Sequence, residues 1–336
     1  GVQTCALPIW YELRSVVGSG GAGVVHRAWD PVLGREVAIK TLHPHLAGEV
    51  LREQRDRFRR EAEIVARLNH PHVVSLHDHG EHDGAPWLVQ RFFPMGDLAK
   101  VATSPIQARR AARWLRDLAD AVAEAHKQGV VHRDIKPSNV FLDEHDDVFL
   151  GDFGIAREMS DATRVKTLTG QAVGSPGYMA PEQAMGSADV GPAADIHGLG
   201  ALLYHLLTGL PPFRGSTMES TLRLVVEQDP IPVRRLNPAV PADLETICLK
   251  CLEKQPGRRY RNAVELRDDL DRFMDGRPTH ARPLSAAGHA WRWCRRRPLV
   301  AGMGAALLLS MALGLASTTT AVIRMRAAEG ARKVVR

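Results

Sequence analysis

The chain is poor in cysteine. Its 336 residues include four, Cys5, Cys248, Cys251 and Cys294, too few for a disulfide framework and in keeping with a reducing compartment. No secretory signal pattern opens the sequence. A strong charge imbalance is missing too: 44 Lys and Arg stand against 38 Asp and Glu. Much of that small excess falls in roughly the last forty residues, so it is a local feature, and no nucleic-acid partner is expected. The lone Cys248-Leu249-Lys250-Cys251 spacing has no second pair, which makes it a weak zinc signal. Leu244, Ile247, Cys248, Cys251 and Leu252 instead form one apolar helical face, the pattern of buried thiols. The length does allow a large core, and two lobes are expected.

The chemistry concentrates in His132-Arg133-Asp134-Ile135-Lys136-Pro137-Ser138-Asn139 and in Asp152-Phe153-Gly154. Two carboxylates, a lysine and a carboxamide lie in and beside two short loops between apolar runs. Val130-Val131, Phe141-Leu142 and Val148-Phe149-Leu150 are expected to be short strands that hold these groups on rigid supports. Asp134 can accept a proton from a hydroxyl. Asp152 and Asn139 offer hard oxygen ligands for Mg²⁺. Lys136 can stabilise a transferring phosphoryl group. A lone Asp-Phe-Gly is any turn, but the two motifs at this distance resemble the catalytic loop and metal loop of the protein kinases. The resemblance spans about residues 10 to 276.

It implies an α+β, two-lobed kinase fold: a small β-rich N-lobe with its helix C over residues 10–93, and a larger, mainly helical C-lobe over 94–276. In Gly18-Ser19-Gly20-Gly21-Ala22-Gly23-Val24-Val25 the glycines sit between two strands, whereas a dinucleotide fingerprint would open a helix. Glycines let backbone approach phosphates without a Cβ clash. Glu36-Val37-Ala38-Ile39-Lys40 alternates as a strand, with Val37 and Ile39 on one face and Ala38 and Lys40 on the other. Phe58, Ala62, Val65 and Leu68 mark a helix from about Glu53 to Leu68. Asn69-His70-Pro71 is expected to close it and begin the next strand. By resemblance, Val25, Ala38 and Phe141 enclose the adenine, and Glu61 holds Lys40. Trp87 to Phe93 is the last N-lobe strand and hinge, with Gln90 at the usually apolar gatekeeper, Arg91 where the hinge commonly has Glu, and Phe92 beside the adenine.

A helix from about Ile106 to Gln128 carries Leu115, Leu118, Ala119, Val122 and Ala125 on one face, and Gly129 ends it. Asp152 to Glu182 resembles an activation segment, with Ser160, Thr163, Thr167, Thr169 and Ser175 as its hydroxyls. Ser175 is implied to contact Asp134 and Lys136. Arg133, by resemblance, reads a phosphate on that segment, with Thr167 and Thr169 as its expected donors. Asp195 is implied to pin the catalytic-loop backbone, and Arg259 to pair with Glu182. His197 is expected to be a packed structural residue on its helix.

Residues 1–9 share no pattern with the rest of the chain and are expected to be a non-native or disordered leader. Beyond the lobes, 277–297 form a basic juxtamembrane linker. From Pro298 to Ile323 no residue is charged. As a helix that run is about 39 Å long at about 1.5 Å per residue, against a hydrocarbon core of about 30 Å. Trp291, Trp293 and flanking arginines make it an expected transmembrane helix. Residues 324–336 then form a short post-membrane segment, expected to be truncated. Lys and Arg flank the span in similar numbers, so ATP supply decides the side: the kinase is expected on the cytoplasmic face of the cell membrane, with membrane lipid as a partner.

The set is identified as similar to the eukaryotic-like serine/threonine kinases of bacteria, on Lys136 and Pro137 after Asp134. The implied reaction moves the γ-phosphoryl of ATP to Ser or Thr of protein substrates, with Mg²⁺ (Mn²⁺ as a substitute). The chain would also act on itself in trans, through a transient dimer. Two other classes compete. A nucleotide-binding pseudokinase scaffold would lack catalytic groups, and none is missing. A small-molecule phosphotransferase would not need Gly174 to Glu182, which looks built to seat a peptide.

Overall fold

Alternation along the first strands sets the smaller lobe. The computed structural model describes residues 10–20, 23–42, 55, 58–59, 62–63, 65–82, 85–153, 176–187 and 189–281. Strands β1 (Glu12–Gly20), β2 (Gly23–Asp30), β3 (Arg35–Thr41), β4 (Leu76–His82) and β5 (Ala85–Arg91) form one sheet in the order β1-β2-β3-β5-β4. Every neighbouring pair is antiparallel. Val37 and Ile39 are buried with Ala28, Trp87 and Val89 in one cluster. Leu42 and Leu88 pack with Phe58 and Ala62 in another, so the helical residues between 55 and 67 belong to this lobe. Gly23 cannot be replaced freely: its φ is +141°, and a Cβ there would lie 1.9 Å from the carbonyl oxygen of Thr41.

Two sequence expectations fail here for the same reason, that their backbone groups are engaged elsewhere. The strand expected directly after Pro71 begins at Leu76. Residues 72–74 instead trade backbone hydrogen bonds with Leu150 across to the larger lobe: Leu150 donates to His72 and Val74 donates to Leu150. Val130-Val131 is not a strand. The Val130 N–H turns back to the Ala125 carbonyl, and the N–H groups of His132 and Arg133 go to a carboxylate.

In the larger lobe, Asp97 caps the short helix α1 (Leu98–Val101) by accepting from the Lys100 N–H. Helix α2 (Ala108–Lys127) buries Leu115, Leu118, Ala119, Val122 and Ala125, the face its periodicity indicated. Gly129 follows at φ +77°. Strands β6 (Val140–Leu142) and β7 (Val148–Leu150) pair as a hairpin. Helix α3 (Pro181–Ala184) is short. Helix α4 (Ala193–Thr208) is buried nearly all round and forms the centre of the lobe. Around it stand α5 (Met218–Glu227), α6 (Val233–Leu236), α7 (Ala242–Cys251) and α8 (Ala263–Met274). α7 packs on α4, and α8 packs along α2.

Cys248 and Cys251 are buried and free, and burial pushes both thiols up from their ordinary value. Among the described residues no group of His, Cys, Asp and Glu gathers to hold a metal. Packing continues past Gly276. The buried Asp269 accepts the hydroxyl of Tyr260 and the N–H groups of His280 and Ala281, which fastens residues 280–281 to α8. The expected span at 298–323 and the leader at 1–9 lie outside the described residues. Among the described residues no helix is long and apolar enough to cross a membrane.

Candidate active site

The roof of the site is built by strand register. Gly18 stands opposite Val25, and Val25 opposite Lys40, across β1, β2 and β3. Ala38 stands opposite Gln90 across β3 and β5. Directly opposed residues of antiparallel strands share a face, so Val25, Ala38, Lys40 and Gln90 line one surface. Gly18, Ser19 and Gly20 end β1 and Gly23 begins β2. Gly21, Ala22 and Glu61 lie outside the described residues, as do Thr167, Thr169 and Ser175. The expected pairing of Lys40 with Glu61 therefore falls there too.

Lys40 crosses to the other lobe. Its Nζ donates to Asp152 Oδ1 at 2.8 Å. Below, Phe141 on β6 stacks on Phe93 with ring centroids 5.2 Å apart. Phe92 carries the Arg27 guanidinium over its ring at 5.2 Å.

The catalytic loop is held by its own side chains. Asp134 Oδ2 accepts from Lys136 Nζ at 2.7 Å and from Asn139 Nδ2 at 3.1 Å. Asn139 Nδ2 also donates to the Asp134 carbonyl at 2.8 Å. With its nitrogen committed, the Asn139 side chain leaves Oδ1, which accepts a 3.4 Å contact from Ser138 Oγ, as the atom that could face a metal. Buried His132 joins the two motifs: its Nδ1 accepts the Asp134 N–H at 3.2 Å, and its Nε2 donates to the Gly151 carbonyl at 3.0 Å. Its ring lies 4.7 Å from that of buried Phe153.

Asp195 supports this loop from α4. Its carboxylate accepts from the N–H of His132 at 2.8 Å and of Arg133 at 2.6 Å, and meets His126 Nε2 at 2.8 Å. Arg133 and Asp152 both adopt left-handed backbone, with φ of 64° and 51°. For residues with a Cβ that costs about 1–2 kcal/mol each, and such strain persists where surroundings over-determine it. Arg133 Nη2 donates to the Val190 carbonyl at 3.2 Å.

Glu182 and Arg259 form a buried two-point pair at 2.6 and 2.8 Å. Arg259 also donates to the carbonyls of Ala193, Glu253 and Lys254. His197 is fully buried; desolvation first, then the Arg259 and Lys254 charges, pushes its ring well below the ordinary value. It is a packed neutral residue, as its place on an apolar helix indicated. Burial pushes Tyr178 up to about 12, so its hydroxyl keeps its proton at neutral pH.

The donor set fits a divalent cation of the Mg²⁺ type. Asp152 and Asn139 supply two oxygens without a dedicated protein cage, and Mg²⁺ takes one or two carboxylates, waters and substrate phosphates. Sequence reasoning missed His126 and the bridging role of His132. It also missed Gln183, whose amide donates to the Arg133 carbonyl at 2.8 Å. Gln183 had one legible signal: it stands three residues after Ala180, at the start of a helix, where a side chain can reach back to a backbone N–H.

Comparison with known proteins agrees with this geometry. Residues 11–268 match the family described as protein kinase domain. The chain is 38% identical over 282 residues to the serine/threonine-protein kinase PknB of Mycobacterium leprae, covering 81% of this chain and 44% of that one. It is 37% identical over 277 residues to a probable serine/threonine-protein kinase of Streptomyces coelicolor, covering 81% and 41%. The chain thus spans less than half the length of these curated relatives. A solved structure of Rad53 1–466 in complex with AMP-PNP superposes with a TM-score of 0.63 at 23% identity, over 77% of this chain and 64% of that one. That likeness concerns the fold alone. On the match over residues 11–268 and the catalytic and metal loops it contains, this chain belongs to the protein kinase family.

Proposed function

We propose that the chain transfers the γ-phosphoryl group of MgATP to Ser or Thr hydroxyls of proteins. The observation that carries this is the Asp134 carboxylate held between Lys136 and Asn139, together with the Lys40–Asp152 contact. Relatives named as serine/threonine kinases support the choice of acceptor, and the AMP-PNP bound to the fold relative supports ATP as the donor.

Each group then has one task. Gly18, Gly20 and Gly23 let backbone approach the phosphates, and Lys40 pairs with the α- and β-phosphates. Asp152 and the Asn139 Oδ1 would hold Mg²⁺, which when bound neutralises charge on the phosphates. Asp134 orients the acceptor hydroxyl and takes its proton as the new O–P bond forms. The bond from phosphorus to the ADP oxygen breaks, and ADP leaves. Lys136 balances the negative charge that develops.

Two regulatory features belong to the same reading. A phosphate on Thr167 or Thr169 would dock on Arg133, since a guanidinium grips a phosphate by two hydrogen bonds. Encounter of two copies would place that phosphate in trans. The uncharged run Pro298 to Ile323 would anchor the chain as a single-pass cell-membrane protein with the kinase in the cytoplasm. The test is to incubate the full chain with MgATP and a generic protein substrate and map phosphosites by mass spectrometry. Phosphate on Ser or Thr is expected; none on any residue would end the proposal. Membrane flotation of the full chain tests the anchor, and recovery in the soluble fraction without detergent would refute it.

A further inference from the structure

The peptide unit that joins Arg133 to Asp134 is gripped at both ends. Its N–H, on Asp134, donates to His132 Nδ1. Its C=O, on Arg133, accepts from Gln183 Nε2 at 2.8 Å. The preceding N–H, on Arg133, is held by Asp195, and Arg133 itself lies in left-handed backbone at φ 64°. A residue in that conformation is free to relax unless its flanking peptides are fixed. Asp195 fixes one and His132 with Gln183 fix the other.

Gln183 is itself anchored. Its Oε1 accepts the Ala180 N–H at 3.0 Å, which settles which end of the amide faces Arg133. Ala180 is fully buried, and the neighbouring Glu182 is locked to Arg259. The grip therefore runs from the segment that enters α3 to the backbone beside the carboxylate that must meet the acceptor hydroxyl. Asp195 ties the loop to α4 and His126, and His132 ties it to Gly151; neither reaches the segment that enters α3.

We propose that Gln183 is a positioning residue for phosphoryl transfer: its amide holds the Arg133 carbonyl and so sets the orientation of Asp134. The inference rests on the kinase reading above. It assigns to Gln183 a hydrogen-bonded link by which the segment entering α3 acts on the catalytic carboxylate. Misplacing a reacting group slows the chemical step without weakening ground-state binding, so the effect falls on kcat.

The experiment compares Gln183→Leu, Gln183→Glu and wild type as full chains, with kcat and KM for ATP measured from pH 6 to 8 and melting recorded for each. An ionised carboxylate only accepts hydrogen bonds, whereas a protonated one donates. Gln183→Glu would therefore keep the acceptor for the Ala180 N–H but set its second oxygen against the Arg133 carbonyl throughout this range. At pH 8 both variants should lose about tenfold in kcat, with KM for ATP within about twofold. Because a glutamate carboxyl titrates near about 4.3, the ratio of kcat to wild type should stay flat from pH 6 to 8 for Gln183→Glu as for Gln183→Leu. Near-wild-type kcat in either variant, a loss carried by KM, or a loss that matches the unfolded fraction would overturn the assignment. Wild type inactive under all conditions would instead reject the kinase reading, and the positioning role with it.

Discussion

Arg91, the last residue of β5, donates to Asp143 just past β6 at 3.0 Å. The same guanidinium lies over the rings of Phe149 and Phe93, at 4.5 and 5.0 Å. The residue that departs from the usual hinge composition is thus the one that ties the two lobes at the hinge. An arginine suits this because its planar cation can stack on rings and donate to a carboxylate at once.

Removing that side chain, as Arg91→Ala, should destabilise the chain by about 1–2 kcal/mol. A partly exposed ion pair contributes at most about 1 kcal/mol, and cation–π contact adds about 0.5–1. The pH dependence has a definite sign. Burial raises the Asp143 carboxyl, but the Asp147 and His145 N–H groups and Arg91 outweigh it, so the net shift is below 3.8. The stabilisation is full above the unfolded value and is lost as the pH falls through the lower folded one. Melting curves of wild type and variant should be well separated at pH 7 and draw closer in strong acid, where only the cation–π contribution is left.

The Asp134→Asn variant should bind MgATP and melt near wild type yet lose at least about 10²-fold in kcat. Both Lys136 and Asn139 contact Oδ2, and an amide there cannot take the proton. Equal autophosphorylation in mutant and wild type would remove Asp134 from the mechanism.

Arg259→Leu should be the most destabilising of these changes. It strands the Glu182 carboxylate, 11% exposed in its side chain, without its two-point partner, at a cost of about 3–5 kcal/mol. Thermal melting would show it; a variant that melts at the wild-type temperature contradicts the pair's structural role.

Removing the proposed phosphate acceptors, Thr167→Ala with Thr169→Ala, should slow phosphorylation of an added substrate at least about tenfold while MgATP still binds. A wild-type rate in the double variant would discard this switch.

The buried thiols Cys248 and Cys251 should resist iodoacetamide in the folded chain and react after denaturation. Their burial and raised thiol values leave little reactive thiolate. Peptide mapping distinguishes them from Cys5 and Cys294; fast native labelling of either would contradict the packing of α7 on α4.

Much of the site was legible because its parts are local. Asp134, Lys136 and Asn139 lie within six residues, so one loop brings them together. The alternation of β3 placed Lys40 and Ala38 on one face, and helical periodicity gave the faces of α2 and α7. The short strand expected at Val130-Val131 does not form, because an apolar pair says nothing about where its N–H groups go.

The sequence by itself determined the chemistry: which acids, amides and cations are available, on which elements, and in what order. Tertiary structure alone decided their partners. Lys40 meets Asp152 over 112 residues of chain, and His126 shares the Asp195 carboxylate with two backbone donors. Gln183 reaches back fifty residues to a strained peptide, and Arg91 finds its acid on the far side of the hinge. Periodicity reports which face of an element is buried. It carries no record of which buried polar group lies across the interface, and that pairing is set by packing.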